Sequence, residues 1–379
     1  PIDFGAGLEA SPKISDLDGD GRMELVQLDA AGGVHVLGAD GLERAGWPQK
    51  LGLMPGVDPN APNDHLGSRA VTVGAWNSDA RSSTIAAPAI GDLDGAGGDL
   101  DVVAASLDGG VFAFNAGGAL LPGFPVHVSP TAGLVGTIDN LIDVGIFTAP
   151  VLADLDGDGD LEIIVAAYDG YLYAWHHDGQ SAAGFPVLLQ QGNQQRRIVA
   201  SPAVGDIDGD GVPEIVTGTT EDYNNSTRLY AVNGDGSFVN GWPRPFNSVR
   251  ILPLVGEGMA NSPAMADIDG DGTVEVAFAG IVVPPNVFRG DGSFVGYINN
   301  SAYGAGTTSD DVPGVSMVAS GSFGDLNNNG VVDLVWGLAG FGAAEAFAGS
   351  GQRTNFDHQL GAWELTHALP EKGWNFLEG

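Results

Sequence analysis

The chain contains no cysteine and is poor in basic residues, and both deficits exclude whole classes of chemistry. Without cysteine there are no disulfides, no thiolate metal sites and no cysteine nucleophile. The sequence has 14 lysines and arginines against 48 aspartates and glutamates, for a formal net charge of −34. That balance argues against nucleic acid and anionic membranes as partners, because both need a basic surface. No apolar run reaches the roughly 18 residues of a membrane helix, so we expect no membrane insertion.

The residues that are present indicate a folded, glycine-rich β-protein. Hydrophobic residues make up 43% of the 379 positions and charged residues 16%, which predicts a packed core. The 60 glycines follow no collagen period and indicate many tight turns. Because the chain opens at Pro1 without a start methionine or signal segment, we expect a processed or trimmed product.

An acidic loop of the form DxDxDGxxE recurs along the chain and runs each time into an apolar segment. Carboxylates crowded at alternate positions repel one another unless a hard, oxygen-seeking cation lies between them, and calcium fits best. An Asp/Gly turn that binds no ion is the alternative. In chain order, the six acidic loops span residues 16–24, 92–101, 154–162, 206–214, 267–275 and 325–333, and the second and sixth are weaker copies.

The acidic loop is one part of a longer repeat. The full unit has a Ser-Pro or Ala-Pro lead-in, the loop, an apolar strand, an aromatic-rich strand and a Gly-Trp-Pro or Gly-Phe-Pro turn, as the second, third and fourth copies show. Loop starts lie 52 to 76 residues apart, which allows four strands per unit. Four-stranded antiparallel units of this length predict an all-β fold, a β-propeller, as one domain over residues 1–379.

The number of blades follows from the number of loops. Six loops predict six blades, with residues 1–9 pairing with the C-terminal segment to close the ring. A seventh blade without a loop, split between the termini, is the alternative. Insertions at about residues 50–84, 129–142 and 190–197 predict long surface loops.

Taken together, the loops, lead-ins and spacing resemble the FG-GAP/VCBS repeat family, the calcium-binding propeller repeats that are also seen in integrin α-subunit heads. The resemblance covers nearly the whole chain and is strongest to bacterial secreted versions. It implies that the acidic loop joins the first two strands of a blade and holds calcium in a hairpin. Function does not follow from it, because such propellers serve in adhesion, carbohydrate binding and enzyme accessory roles.

Within each loop, the spacing predicts which oxygens bind the ion. The first, third and fifth residues offer side-chain oxygens, the seventh its backbone carbonyl and the ninth a carboxylate, while glycine at the sixth lets the chain fold back. The predicted side-chain ligands of the four complete loops are Asp16, Asp18, Asp20 and Glu24; Asp154, Asp156, Asp158 and Glu162; Asp206, Asp208, Asp210 and Glu214; and Asp267, Asp269, Asp271 and Glu275. The predicted backbone ligands are Arg22, Asp160, Val212, Thr273 and, in the sixth loop, Val331.

The two weaker loops depart from this pattern in different ways. The sixth keeps oxygen ligands with less charge, which predicts lower affinity, at Asp325, Asn327, Asn329 and Asp333. The second keeps Asp92, Asp94 and Asp101, but Ala96 offers no ligand and one extra residue intervenes, so Asp99 or a carbonyl must compensate. We therefore predict four calcium ions, and six if both weak loops bind.

Other residues that suggest chemistry have simpler interpretations. We interpret His176-His177-Asp178 as an exposed turn, and we find no partner for His35 or His127. Arg196-Arg197, the only adjacent basic pair, is expected to salt-bridge an acidic loop, and facing a carboxylate-bearing ligand is the alternative. The aromatic residues of the Gly-Trp/Phe-Pro turns favour blade packing over a sugar-binding groove, and they are Trp47, Phe124, Phe185 and Trp242.

No nucleophile elbow, zinc-protease motif or phosphate-binding loop occurs in the sequence. We therefore predict a non-catalytic, calcium-stabilised module that binds an extracellular protein or carbohydrate, secreted or at the cell surface, where calcium is plentiful. A polysaccharide-active lyase or hydrolase stays open, because paired carboxylates have no sequence signature. A structural subunit of a surface layer or filament is the third hypothesis.

Overall fold

The computed structural model describes residues 4, 6–52, 82–128, 145–189, 197–221, 228–246, 257–258, 261–268, 270–280, 286–297, 320–325, 328, 330, 332–340 and 357–364. All regular structure in these residues is β-strand. None of them forms a helix with the length and apolar character needed to cross a bilayer.

Three consecutive four-stranded sheets lie in the first half of the chain. The first contains β1 (Lys13–Ser15), β2 (Glu24–Leu28), β3 (Gly33–Leu37) and β4 (Gln49–Lys50). The second contains β5 (Ala89–Gly91), β6 (Asp101–Ala105), β7 (Gly110–Phe114) and β8 (Val126–His127). The third contains β9 (Val151–Ala153), β10 (Glu162–Ala166), β11 (Tyr171–Trp175) and β12 (Val187–Leu188).

The second half repeats this plan with small variations. The fourth sheet contains β13 (Ala203–Gly205), β14 (Glu214–Gly218), β16 (Arg228–Val232) and β17 (Arg244–Pro245), and β15 (Thr220–Glu221) pairs separately with β18 (Glu257–Gly258). The fifth contains β19 (Ala264–Ala266), β20 (Glu275–Phe278), β21 (Asn286–Phe288) and β22 (Phe294–Tyr297). The sixth has three described strands, β23 (Gly321–Gly324), β24 (Asp333–Gly340) and β25 (Asp357–Glu364).

Strands follow one another in antiparallel order within each four-stranded sheet. The acidic loop joins the first strand to the second, as predicted. In the first sheet Ser15 pairs with Glu24 across the loop, and in the fourth Gly205 pairs with Glu214. The last residue of the loop is therefore also the first residue of the second strand.

The inner strands of the second sheet are apolar on both faces because this sheet packs against the first sheet on one side and against the third on the other. In β6, Val102 and Ala104 pack with the first sheet, whereas Val103 and Ala105 pack with the third. This division follows from the two-residue period of a strand. A strand that is buried on both faces has a continuous apolar sequence, as these inner strands do.

By contact density the chain divides into two compact units. The first holds residues 1–154 and 158–187, and the second holds residues 155–157 and 188–379. Inside each unit the first strands of successive sheets lie side by side: β1, β5 and β9 in one, and β13, β19 and β23 in the other.

The Gly-Trp/Phe-Pro turns join neighbouring sheets. Trp47 Nε1 donates to the carbonyl of Ala116 in the second sheet at 2.9 Å, and Trp242 Nε1 donates to the carbonyl of Gly290 in the fifth at 2.7 Å. All four aromatic side chains are buried and all four X-Pro bonds are cis. Gly46 has a φ of 91°, and a Cβ there would collide with the carbonyl of Gly117. The packing interpretation is confirmed.

Most of the predicted long insertions lie outside the described residues, as do residues 1–3 and 365–379, which bear on how the ring closes. The number of blades therefore stays a prediction.

Candidate metal centres

The six acidic loops share one internal hydrogen bond. In each, the amide of the sixth-position residue donates to Oδ2 of the first aspartate at 2.8 to 3.1 Å. That residue is a glycine with positive φ in every loop, from 76° at Gly97 to 96° at Gly159. The predicted fold-back at this position is confirmed, because an L-residue with a side chain is disfavoured there.

A second hydrogen bond fixes the terminal carboxylate. The amide of the second loop residue donates to it from Leu17 to Glu24 at 3.0 Å, from Ile207 to Glu214 at 2.8 Å and from Ile268 to Glu275 at 2.9 Å. These three glutamates are 1 to 2% exposed. The strand thus holds a carboxylate under the loop, with one oxygen satisfied by the backbone.

Several carboxylate oxygens are suitable for a cation. Asp16 Oδ1, Glu24 Oε1 and Asp160 Oδ1 are shielded from solvent and accept no hydrogen bond. Buried oxygens without a donor are costly unless a cation takes that place. The potential ligand atoms lie within 4.8 Å of one another in three of the loops, in the groups Asp16, Asp18 and Glu24; Asp156, Asp158, Asp160 and Glu162; and Asp206, Asp208 and Asp210. These clusters can hold a metal ion.

The raised pKa of one of these carboxyls also favours a bound cation. Burial raises the pKa of Glu214 from 4.5 to about 7, and the neighbouring charges of Asp208, Asp210 and Asp206 add to the rise against the opposing hydrogen bond from the Ile207 amide. A carboxyl with so high a pKa is short of positive charge. A divalent ion among these groups would supply it.

The predicted seventh-position residues lie where the spacing placed them. The amides of Arg22, Asp160, Val212 and Thr273 each donate to Oδ1 of the fifth-position aspartate at 2.8 to 3.1 Å. Their predicted carbonyl coordination stays a prediction. Asp269, Asn327, Asn329 and Val331 lie outside the described residues, and Asp333 begins β24.

The second loop keeps the frame despite its broken register. The amide of Gly97 donates to Asp92 Oδ2 at 2.8 Å and the amide of Leu93 to Asp101 Oδ2 at 3.2 Å. Burial raises the pKa of Asp101 to about 6, with added repulsion from Asp94, Asp92 and Asp99. Asp99 therefore lies close enough to contribute charge where Ala96 contributes none.

Neighbouring loops are also linked through their backbones. The amide of Leu100 donates to the carbonyl of Leu17 at 2.7 Å, and that of Leu161 to Leu93 at 2.9 Å. These bonds join the first loop to the second and the second to the third.

Comparison with known proteins agrees with this architecture. Residues 154–217 match the FG-GAP-like repeat. That segment contains the third and fourth acidic loops, so the match supports the repeat family that the motifs indicated. A search of the curated proteins finds no match.

Solved structures similar to the chain are β-propeller proteins. The quinohemoprotein alcohol dehydrogenase ADHIIG of Pseudomonas putida HK5 has a TM-score of 0.52 and 14% identity over 97% of this chain and 60% of its own. A europium-containing methanol dehydrogenase has a TM-score of 0.52 and 12% identity over 89% of this chain and 63% of its own. BBS1N in complex with ARL6DN has a TM-score of 0.51 and 9% identity over 94% and 79%. At such identities the likeness shows the fold alone, a β-propeller of four-stranded blades.

Three side chains that the sequence did not connect with the acidic loops reach them. Arg44, which follows β3, forms an ion pair with Asp18 and lies 3.7 Å from both Asp20 and Glu24. His176 Nδ1 lies 2.8 Å from Glu162 Oε1, and His177 contacts Asp160. The interpretation of His176-His177 as merely an exposed turn was therefore wrong. The turn after the third strand brings both imidazoles over the loop.

His35 also has partners, contrary to the prediction. Its Nε2 lies 3.0 Å from Asp29 Oδ2 and its Nδ1 lies 2.6 Å from Glu43 Oε1. These contacts lie across the β2–β3 turn and beside the turn after β3, away from the acidic loop. Arg196 is outside the described residues, and Arg197 forms a backbone bridge with Thr220, so its predicted salt bridge stays a prediction.

Proposed function

We propose that this chain is an extracellular, calcium-stabilised β-propeller module that binds a protein or carbohydrate ligand without catalysis. The repeated acidic loop supports the proposal most strongly. The fold-back onto the first aspartate is shared by all six copies, and in three of them carboxylate oxygens lie within 4.8 Å of one another. Six copies of one ion-binding frame serve stability better than they serve a single reaction centre.

Calcium suits these loops better than other common ions. The predicted ligands are all oxygens, and calcium takes six to eight of them in flexible geometry. Magnesium demands a nearly ideal octahedron and retains its waters, which a crowded carboxylate loop does not accommodate. The millimolar calcium outside cells would fill such sites, and this supports the extracellular setting.

Bound calcium would act on the hairpin that forms each blade's centre. The loop ties the first strand to the second, and Glu24, Glu214 and Glu275 each begin the second strand. An ion held by both ends of the loop therefore stabilises the strand pairing. At a free concentration 100 times the dissociation constant, each independent site adds about 2.7 kcal/mol.

The ligand-binding role rests on how rigid propellers are used. A scaffold held by its own core and by ions leaves its connecting loops free to vary, and binding residues concentrate in such loops. The charge of −34 disfavours polyanionic ligands and leaves neutral glycans and proteins with basic patches.

A glycan array and a protein pull-down test this role. Both are run on calcium-loaded protein, with chelated protein as the matched control. We expect a specific partner that is retained in calcium and lost in chelator. Absence of any ligand at high protein concentration, on arrays that capture a known lectin, would contradict the proposal.

A further inference from the structure

The third acidic loop differs from its relatives in the residues that lie above it. In five sheets the amide of the residue after the third strand donates to the carbonyl of the residue four positions on, at 2.8 to 2.9 Å. This shared bond identifies equivalent positions. The residues there are Gly38, Asn115, His176, Asn233 and Arg289. Among these described turns, the third alone presents an imidazole.

The imidazole lies among oxygens that a metal needs. His176 Nδ1 is 2.8 Å from Glu162 Oε1 and 3.9 Å from Asp160 Oδ1. Ligands bound to zinc at about 2.0 to 2.1 Å in tetrahedral geometry lie about 3.3 Å apart, between these two values. One ligand atom each from Asp156, Glu162 and His176 also falls within a 4.8 Å group.

An independent observation concerns Asp160. The residue is 9% exposed, and its Oδ1 atom is buried with no hydrogen-bond partner. Its other oxygen, Oδ2, contacts His177 Nδ1. His177 thus fixes the orientation of the carboxylate, and the free oxygen lies toward His176. A metal-bound carboxylate held by a second group is the usual arrangement around a metal centre.

Ligand type decides which ion such a group prefers. Calcium and magnesium take oxygen ligands, whereas imidazole nitrogen suits zinc and its transition-metal neighbours. We propose that the third loop is a site for an imidazole-preferring divalent ion such as zinc, with Asp156, Glu162, Asp160 and His176 as ligands and His177 as a positioning residue. At the other four described turns the equivalent residue has no imidazole, so the loops beneath them keep the predicted preference for calcium.

The inference rests on the proposed function, since it assumes that acidic loops bind metal. Zinc titration of the untagged full chain, in millimolar calcium, tests it by calorimetry and by the visible spectrum of the cobalt-substituted protein. We expect one high-affinity zinc and a cobalt spectrum that reports nitrogen ligation. His176→Gln should raise the zinc dissociation constant at least tenfold.

Two further variants keep the test decisive. His127→Gln removes an exposed histidine at the end of β8 and should leave zinc binding unchanged. Asp160→Asn removes the carboxylate that lies beside His176 and should weaken zinc binding as His176→Gln does. Zinc affinity equal to wild type in either His176→Gln or Asp160→Asn would overturn the inference. Calcium-dependent melting measured on the same samples reports on the proposed function separately.

Discussion

Replacing Glu214 is expected to stabilise the metal-free protein and to destabilise the calcium-bound protein. Its side chain is buried beneath the fourth loop, and burial, reinforced by Asp208, Asp210 and Asp206, raises its pKa from 4.5 to about 7. In the metal-free protein the folded state therefore favours the protonated carboxyl. The contribution of this carboxyl to the stability of the metal-free fold is therefore fully present below about pH 4.5 and is lost as the pH rises through 7. A rise of this size corresponds to about 3 kcal/mol once the carboxylate is ionised.

The substitution Glu214→Gln removes that charge and keeps an oxygen for the Ile207 amide. In chelator at pH 8, we expect the variant to be more stable than wild type by about 3 kcal/mol, with the difference vanishing at pH 4. In calcium the order should reverse, because glutamine offers no anionic ligand. Urea denaturation at both pH values, with chelator or calcium, measures all four cases.

Glu24→Gln is the matched control. Glu24 occupies the same loop position, but the guanidinium of Arg44 lies 3.7 Å from its carboxylate. Removing that carboxylate takes one of three acidic partners from the Arg44 guanidinium, so the variant should gain no stability in chelator at pH 8. The reasoning fails if Glu214→Gln is no more stable than wild type there, or if its advantage is the same at pH 4.

Three further predictions concern the loops and the turns. Chelation should lower the melting temperature substantially, since each filled site contributes about 2.7 kcal/mol at 100-fold saturation, and an unchanged melt would count against structural calcium. Arg44→Leu installs the residue type found at the equivalent position Leu121. Calorimetry should show tighter calcium binding to the first loop, and the chelated protein should be less stable than wild type. Weaker calcium binding would contradict the role of Arg44 as an internal cation. Trp242→Phe keeps an aromatic ring, as in the second and third sheets, but leaves the carbonyl of Gly290 without its donor, and should cost about 1 to 2 kcal/mol in denaturation experiments; a neutral result would contradict the importance of that bond.

The sequence predicted well whatever is encoded locally. The hairpin around each loop, the glycine fold-back and the terminal carboxylate at the strand start all depend on residues within nine positions of one another. The apolar runs predicted strands covered on both faces. The recurring aromatic turns predicted packing, and the burial of Trp47 and Trp242 confirms it.

The sequence did not predict the side-chain contacts between the acidic loops and the turns that follow the third strands. Arg44 reaches Asp18 from 26 positions away, and His177 reaches Asp160 from 17. Neither pair has a spacing rule, because the distance depends on how the turn after the third strand leans over the loop. Aligning the repeats reveals the signal, since Arg44 stands where the next three copies have apolar residues, and His176 is the one imidazole among the described equivalent positions.

The short outer strands have a consequence for the behaviour of the chain in solution. In the first five sheets the two border strands contain between two and four residues, such as Gln49–Lys50 and Val126–His127, while the inner strands are longer in the first four. Because the hairpins of successive repeats are similar in sequence, their strands can pair wrongly during folding, and edge strands of different molecules can pair afterwards. A border of two residues offers almost no row of free amides and carbonyls on which a foreign strand can align. The short edge strands therefore disfavour strand pairing between molecules, although the chain repeats the same hairpin several times.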